Sequence, residues 1–176
     1  SPDTVRSMFT SALSDKYRQM ILVSDINHRS NQNIQHHTKV ERHGAIRLRT
    51  AGALAMMRRS FSVMGMCPVR YYDLSVASLP IRATCFRPLA KRSLARNPFR
   101  VFAFLLHLEL IQDESLRPKA VNILRERKIF TPRCVELIQE FENSGLFSHS
   151  VAEEFINDAI QNFQWLKDST VDMKTY

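Results

Sequence analysis

Two short stretches decide the fold of this chain: VRYYDL, which runs from Val69 to Leu74, and IRATCF, which runs from Ile81 to Phe86. Both are rich in the β-branched and aromatic residues that strands favour, and Ser78 and Pro80 lie between them. Within IRATCF the residues alternate in kind, so each face of that strand has its own character. We therefore predict two strands in this region.

The sequence before these strands predicts one more strand and two helices. Ala45 to Leu48 is a short strand candidate, and Thr50 then suits the N-cap of a helix that runs to about Met64. Gly65 follows as a typical helix-ending residue. Farther upstream, apolar residues recur at helical spacing over 3–20, whereas the polar residues 24–39 predict a loop.

From residue 97 onward the apolar spacing predicts helices. We place their starts at Asn97, near residue 113, at Thr131 and at Ser150, and the last helix runs to Leu166. Strands followed by segregated helices are typical of an α+β fold. We divide the chain into an N-terminal helix with a polar loop (1–39), a basic strand-bearing segment with a half-site (40–96) and a helical subdomain (97–176).

Composition fits one sizeable domain, because the chain has 176 residues of which 44% are hydrophobic. No apolar run approaches the roughly 20 residues of a membrane span, and no secretory signal opens the sequence. The first residue is Ser1, so we expect the natural start to be missing or processed. Three widely spaced cysteines, Cys67, Cys85 and Cys134, predict unpaired thiols in the cytoplasm or another reducing compartment.

Positive charge is concentrated in the middle of the chain. Residues 42–100 contain 11 Arg and 1 Lys but a single acidic residue, Asp73. This excess favours an anionic partner, either a small carboxylate or a nucleic acid, although no nucleic-acid-reading motif accompanies it. The alternative is a solvated surface whose acidic partners lie elsewhere.

One segment could carry chemistry: ERHGAIR, from Glu41 to Arg47. His43 and Arg47 are four residues apart, which puts them on one face of a helix or a strand. An imidazole suits Fe(II), Zn or Mn, and a guanidinium beside it could hold the carboxylate of a 2-oxo acid. On spacing alone, a hydrogen-bonded structural pair stays the alternative. Three further histidines fall in the polar loop, where we expect solvated side chains: His28, His36 and His37.

Several runs, in order, resemble the 2-oxoadipate dioxygenase/decarboxylase family. The resemblance covers roughly residues 40 to 176, and more loosely the first helix. Its densest matches are Val40–Arg47, Met64–Ser75, Phe86–Pro88, Ser93–Phe102 and Arg127–Arg133.

The resemblance implies a fold and a reaction. The family's core is similar to the vicinal-oxygen-chelate fold with added helices. Its members convert 2-oxoadipate and O2 to 2-hydroxyglutarate and CO2 in lysine breakdown, using Fe(II) held by two His and one carboxylate. By the same resemblance, His43 matches the first metal ligand and Arg47 the residue that binds the substrate carboxylate. We expect both residues to contribute to substrate binding.

The resemblance also implies that the chain is an N-terminal fragment. The second His ligand and the carboxylate ligand match positions beyond Tyr176, so we expect no activity unless another polypeptide supplies them. The alternative is an inactive truncated homologue that binds a carboxylate or a partner. Arg82 and Leu166 stand where the family has His. Half of a split core would also expose apolar faces, so we expect self-association.

Overall fold

The computed structural model describes residues 1–25, 43–77, 79–107, 114–115, 117–118 and 129–162, with the backbone alone over 17–25. Most of the predicted loop over 24–39 and most of the helix predicted from residue 113 lie outside these residues. The same holds for His28, His36, His37 and Leu166.

The described elements alternate between helices and strands. Helices α1 (Pro2–Asp25) and α2 (Ala51–Val63) flank strand β1 (His43–Leu48). Strands β2 (Cys67–Asp73), β3 (Ile81–Arg87) and β4 (Arg100–Leu106) follow, with the short helix α3 (Lys91–Arg96) before β4. Helices α4 (Pro132–Ser144) and α5 (His149–Gln161) complete the set. None of the described helices combines the length and the apolarity that a bilayer crossing requires.

The four strands form one mixed sheet in the order β1-β4-β3-β2. The first and last strands in sequence, β1 and β4, are parallel neighbours, and the remaining pairs are antiparallel. A mixed sheet with helices on one side confirms the predicted α+β class.

Several local predictions are confirmed with their predicted causes. The Thr50 side chain accepts a hydrogen bond from the Ala53 amide at 3.0 Å and starts α2. Gly65 follows the end of α2 at φ +67°, and Gly145 ends α4 at φ +72°. The cap at Thr50 and the glycine at position 65 therefore predicted both ends of α2 correctly.

The helix predicted from Asn97 is wrong, because residues 100–106 form β4. Asn97 has an extended backbone, at φ −155° and ψ 98°, and it ends α3, a helix that the sequence analysis missed. The start predicted at Ser150 is also wrong, since the Ser148 side chain accepts the cap hydrogen bond from the Val151 amide. The division at 96/97 stays a prediction, but β4 joins residues 100–106 to the sheet of the preceding segment.

The hydrophobic core lies between one face of the sheet and the helices. Phe61 of α2 packs its ring against Phe86 of β3, with 4.9 Å between ring centroids. The core is continuous from α1 through the sheet to α4 and α5, and its large members include Phe9, Leu13, Ile46, Met57, Val101, Leu137, Phe155 and Ile156.

A fully buried arginine ties α1 to this core. The Arg6 guanidinium donates to the carbonyl oxygens of Met64 (2.8 Å), Ser93 (3.1 Å) and Asn97 (3.3 Å). It also pairs with Asp3 at 2.8 Å. These partners satisfy a charge that would be costly to bury alone, so one side chain fixes α1, the end of α2 and both ends of the Ser93–Asn97 stretch.

A second set of hydrogen bonds supports the same junction. The Asn97 side chain donates to the Thr10 hydroxyl at 2.9 Å, and its oxygen accepts from the Phe99 amide at 3.1 Å. The Ser93 hydroxyl donates to Asp3 at 3.0 Å. The chain segment that leads into β4 is therefore held against α1 by buried polar groups.

Replacing the buried guanidinium should be strongly destabilising. We expect Arg6→Met to lower the free energy of unfolding by about 3–5 kcal/mol, because Asp3 and three carbonyl groups lose their partner. Urea unfolding followed by circular dichroism measures this. Arg58→Met, on the exposed side of α2, is the matched control. A loss for Arg6→Met no greater than that of the control would contradict the role assigned to Arg6.

Two glycines with nearly the same backbone conformation offer a matched comparison. A Cβ at Gly65 would lie 3.1 Å from the Cβ of Pro2 and 3.4 Å from Nη1 of Arg6, whereas a Cβ at Gly145 would meet nothing within 4 Å. Gly145→Ala should therefore cost only the left-handed backbone penalty of about 1–2 kcal/mol. Gly65→Ala should cost measurably more in the same thermal unfolding assay, and equal costs would mean that the α1 junction yields freely.

The junction should also weaken in acid. Burial acts to raise the pKa of Asp3, but hydrogen bonds from Arg6 and Ser93 outweigh it and hold this pKa below its usual value of 3.8. A lowered folded pKa means that the stabilisation is present above the unfolded pKa and is lost as the pH falls through the folded one. The stability difference between wild type and Asp3→Asn should therefore shrink below about pH 4. A difference that is constant from neutral pH into acid would argue against this ion pair.

Candidate functional site

The face of the sheet opposite the helices carries the side chains that could bind a ligand or a metal ion. Along β1, burial alternates strictly: Gly44, Ile46 and Leu48 point into the core, whereas His43 and Arg47 are exposed. We call the sheet face that carries His43 and Arg47 the open face. Self-association through exposed apolar surface stays a prediction.

The strand register arranges the open face in three rows. His43 aligns with Arg100, and Arg87 aligns with Cys67. Because Phe86 pairs with Val101, Arg87 continues the line beside Arg100. The first row across the sheet is thus His43, Arg100, Arg87 and Cys67. The second row is Ala45, Phe102, Cys85 and Arg70, and the third is Arg47, Phe104, Ala83 and Tyr72.

Aromatic rings form the floor of this face. The rings of Phe102 and Phe104 lie 6.4 Å apart at an interplanar angle of 25°, and the Tyr72 ring lies 6.4 Å from that of Phe102. The small residues Ala83 and Cys85 between them are 2% and 5% exposed, yet neither belongs to the helix-covered core. The open face therefore offers an apolar surface bounded by polar side chains.

The electrostatic potential of the open face is positive. Desolvation raises the pKa of the Cys85 thiol, and the positive charges of Arg100, Arg87 and Arg70 oppose that rise, so all three guanidinium groups act on one point. The Arg70 guanidinium lies 5.8 Å from the centroid of the Tyr72 ring. The face is therefore suited to anions.

Acidic side chains are scarce in the strands. Asp73 is the single acidic residue of the four strands, and its register partner, Arg82, lies in line with Leu105 on the helix-covered side. Asp73 pairs with Arg82 at 3.4 Å. Arg82 thus lies away from the open face.

The structure places both residues singled out in the sequence on the open face. His43 begins β1 and Arg47 lies four residues along it, about 13 Å away at about 3.3 Å per residue. Their roles as metal ligand and carboxylate-binding residue stay predictions. Sequence reasoning missed Arg100, Phe102 and Phe104, because it assigned them to a helix. The signal that could have found them is the alternation of large and small side chains over 101–104.

One imidazole is the metal-ligand candidate of this face. Among the described residues, no three His, Cys, Asp or Glu side chains lie close enough together to hold a metal ion. The exposed imidazole of His43 is chemically suited to be one ligand of a metal ion, provided that other sequence supplies the remaining ligands. All three cysteines are free thiols, as predicted, and burial raises the pKa of Cys134 to about 11.

Comparison with known proteins identifies the family to which the chain is similar. The family model for 2-oxoadipate dioxygenase/decarboxylase matches residues 5–176. A 2-oxoadipate dioxygenase/decarboxylase from Escherichia coli K12 is 48% identical over 194 residues, which cover 99% of this chain and 43% of that protein. The chain thus spans less than half the length of this curated relative.

Solved structures agree with the sequence match. The hydroxyglutarate synthase from Pseudomonas putida in complex with 2-oxoadipate superposes with a TM-score of 0.82 at 42% identity, covering 97% of this chain and 42% of that one. A structure assigned to the glyoxalase superfamily, from Ralstonia eutropha JMP134, shares the fold at a TM-score of 0.55 and 16% identity, covering 69% of this chain and 39% of that one. The predicted vicinal-oxygen-chelate-like fold is therefore confirmed, and the chain belongs to the 2-oxoadipate dioxygenase/decarboxylase family.

Proposed function

We propose that the protein containing this chain is an Fe(II)-dependent dioxygenase/decarboxylase that converts 2-oxoadipate and O2 to 2-hydroxyglutarate and CO2, as a step of lysine breakdown. The observation that carries this proposal is the exposure of His43 and Arg47 on one face of β1, in a chain whose relatives bear that name. The reaction balances, since both oxygen atoms of O2 are retained in the two products.

His43 would supply one iron ligand through its imidazole. Two further ligands would come from the part of the protein that corresponds to the relatives' remaining length. Bound iron would supply the redox chemistry with O2. Within this chain, His43 would hold the reacting end of the substrate at the first row of the open face.

Arg47 would bind a substrate carboxylate with its planar guanidinium, which suits two parallel hydrogen bonds. The rings of Phe102 and Phe104 lie beside it and would cover the methylene chain of the substrate. Burial of that chain against aromatic rings removes water from the same surface. These residues bind and orient the substrate without taking part in bond breaking.

A second candidate is a catalytically inactive homologue that binds a carboxylate or a partner. The observation that favours it is that the described part of the open face combines several arginines with one imidazole. The two candidates differ in their need for iron, because arginines bind carboxylates without a metal.

Separate substitutions of His43 and Arg47, in the protein at its natural length, distinguish metal binding from substrate binding. We expect His43→Ala to abolish both stoichiometric iron binding and 2-oxoadipate-dependent O2 consumption. We expect Arg47→Gln to keep the iron and to lower kcat/KM roughly tenfold or more, because a charge-assisted bidentate pair is lost. Metal analysis and an oxygen electrode give the two readouts.

The matched control is Arg58→Gln, an exposed arginine on α2 that should leave both readouts unchanged. Full iron content and turnover in His43→Ala would contradict the ligand role. If the wild-type protein binds 2-oxoadipate without iron and never consumes O2, the inactive binding homologue is the correct candidate and the enzyme is not.

A further inference from the structure

We propose that Arg100 and Arg87 form a second carboxylate subsite, so that the open face holds a ligand with two carboxylates, one at each end of its aromatic floor. The inference deepens the proposed function, on which the identity of the ligand rests. It assigns binding roles to residues of β3 and β4, in addition to the pair on β1.

Arg100 and Arg87 both lie in the first row of the open face. Arg100 is directly beside His43 and Arg87 is beside Arg100, whereas Arg47 lies in the third row. Neighbouring strands are about 4.8 Å apart, so the guanidinium groups of the first row can reach the same small anion. Their joint influence on the Cys85 thiol agrees with this closeness.

An apolar surface lies between the two ends of the open face. Phe102 occupies the second row and Phe104 the third, so the line from Arg100 to Arg47 crosses aromatic rings. A ligand that matches this surface has an apolar middle and a negative charge at each end. A short, flexible dicarboxylate has that chemistry, whereas the closely repeated phosphates of a nucleic acid would face an apolar floor.

The open face carries an excess of positive charge among the described residues. Within the described part of the chain, no ion pair joins Arg47, Arg87 or Arg100 to an acidic side chain, although Asp73 pairs with Arg82 on the other face. Together with Arg70 of the second row, these residues give the open face four guanidinium groups, which repel one another. Two carboxylates would relieve this repulsion, and planar forks bind carboxylates with defined geometry.

The proposed function orients the ligand along the open face, because it puts the 2-oxo group at His43. The carboxylate next to that group then falls to Arg100 and Arg87, and the distal carboxylate falls to Arg47. Both ends of the substrate would be held, which selects the length of the dicarboxylate as well as its charge.

The test uses adipate, a dicarboxylate without a 2-oxo group, and hexanoate, its monocarboxylate counterpart. Their binding is measured by calorimetry on the chelator-treated protein at its natural length, so that neither iron nor turnover is needed. We expect adipate to bind at least about tenfold more tightly than hexanoate, and Arg100→Gln to remove about tenfold of adipate affinity. Arg87→Gln should weaken adipate binding in the same direction.

Two further variants complete the experiment. Arg58→Gln, the control on α2, should bind adipate as wild type does. Arg100→Lys keeps the charge but loses the planar fork, so we expect an intermediate affinity, and it gives a second measurement if Arg100→Gln does not fold. Thermal unfolding of each variant establishes its folded state.

Equal affinities for adipate and hexanoate, or wild-type adipate affinity in Arg100→Gln or Arg100→Lys, would overturn the second subsite. That result would mean that acidic groups from elsewhere in the protein neutralise the first row. If adipate binds through Arg100 but no oxygen is consumed with iron and 2-oxoadipate, the proposed reaction fails and the subsite stands. If oxygen is consumed but substitution of Arg100 leaves the adipate affinity unchanged, the second subsite is wrong and the proposed reaction stands.

Discussion

The buried guanidinium of Arg6 holds α1 against the chain segments that lead into two strands of the sheet. It joins α1 to the carbonyl groups of Met64, just before β2, and of Asn97, just before β4. Cys67 and Arg100 are the first residues of those strands, so this interaction positions two members of the first row. A core interaction on the helical side thus helps to position the end of the sheet at which the first row lies.

The same sheet separates stability from chemistry by its two faces. Strict alternation along β1 sends Ile46 and Leu48 into the core and leaves His43 and Arg47 outside. The helices cover one side, and among the described residues the opposite side carries aromatic rings and guanidinium groups. Substitutions on the two faces should therefore have different consequences, since core residues determine folding and open-face residues determine binding.

Much of this arrangement could be predicted from the sequence, where local signals agree with the fold. Thr50 and Gly65 predicted α2, and the strand-forming residues of VRYYDL and IRATCF predicted β2 and β3, because caps and strand patterns act over a few residues. Strand β4 was missed, since its apolar residues also fit helical spacing and only its pairing with β1 and β3 decides between the two. The buried role of Arg6 depends on contacts with residues 58 to 91 positions away, so no local pattern reveals it.

The proposed function makes the open face of this sheet the substrate-binding half of a 2-oxoadipate dioxygenase/decarboxylase. The decisive experiment is a crystal structure of the protein at its natural length with 2-oxoadipate. We expect the ligand to lie over Phe102 and Phe104, with one end at His43 and Arg100 and the other at Arg47. A ligand bound elsewhere, or an open face packed against protein with no room for a ligand, would contradict it.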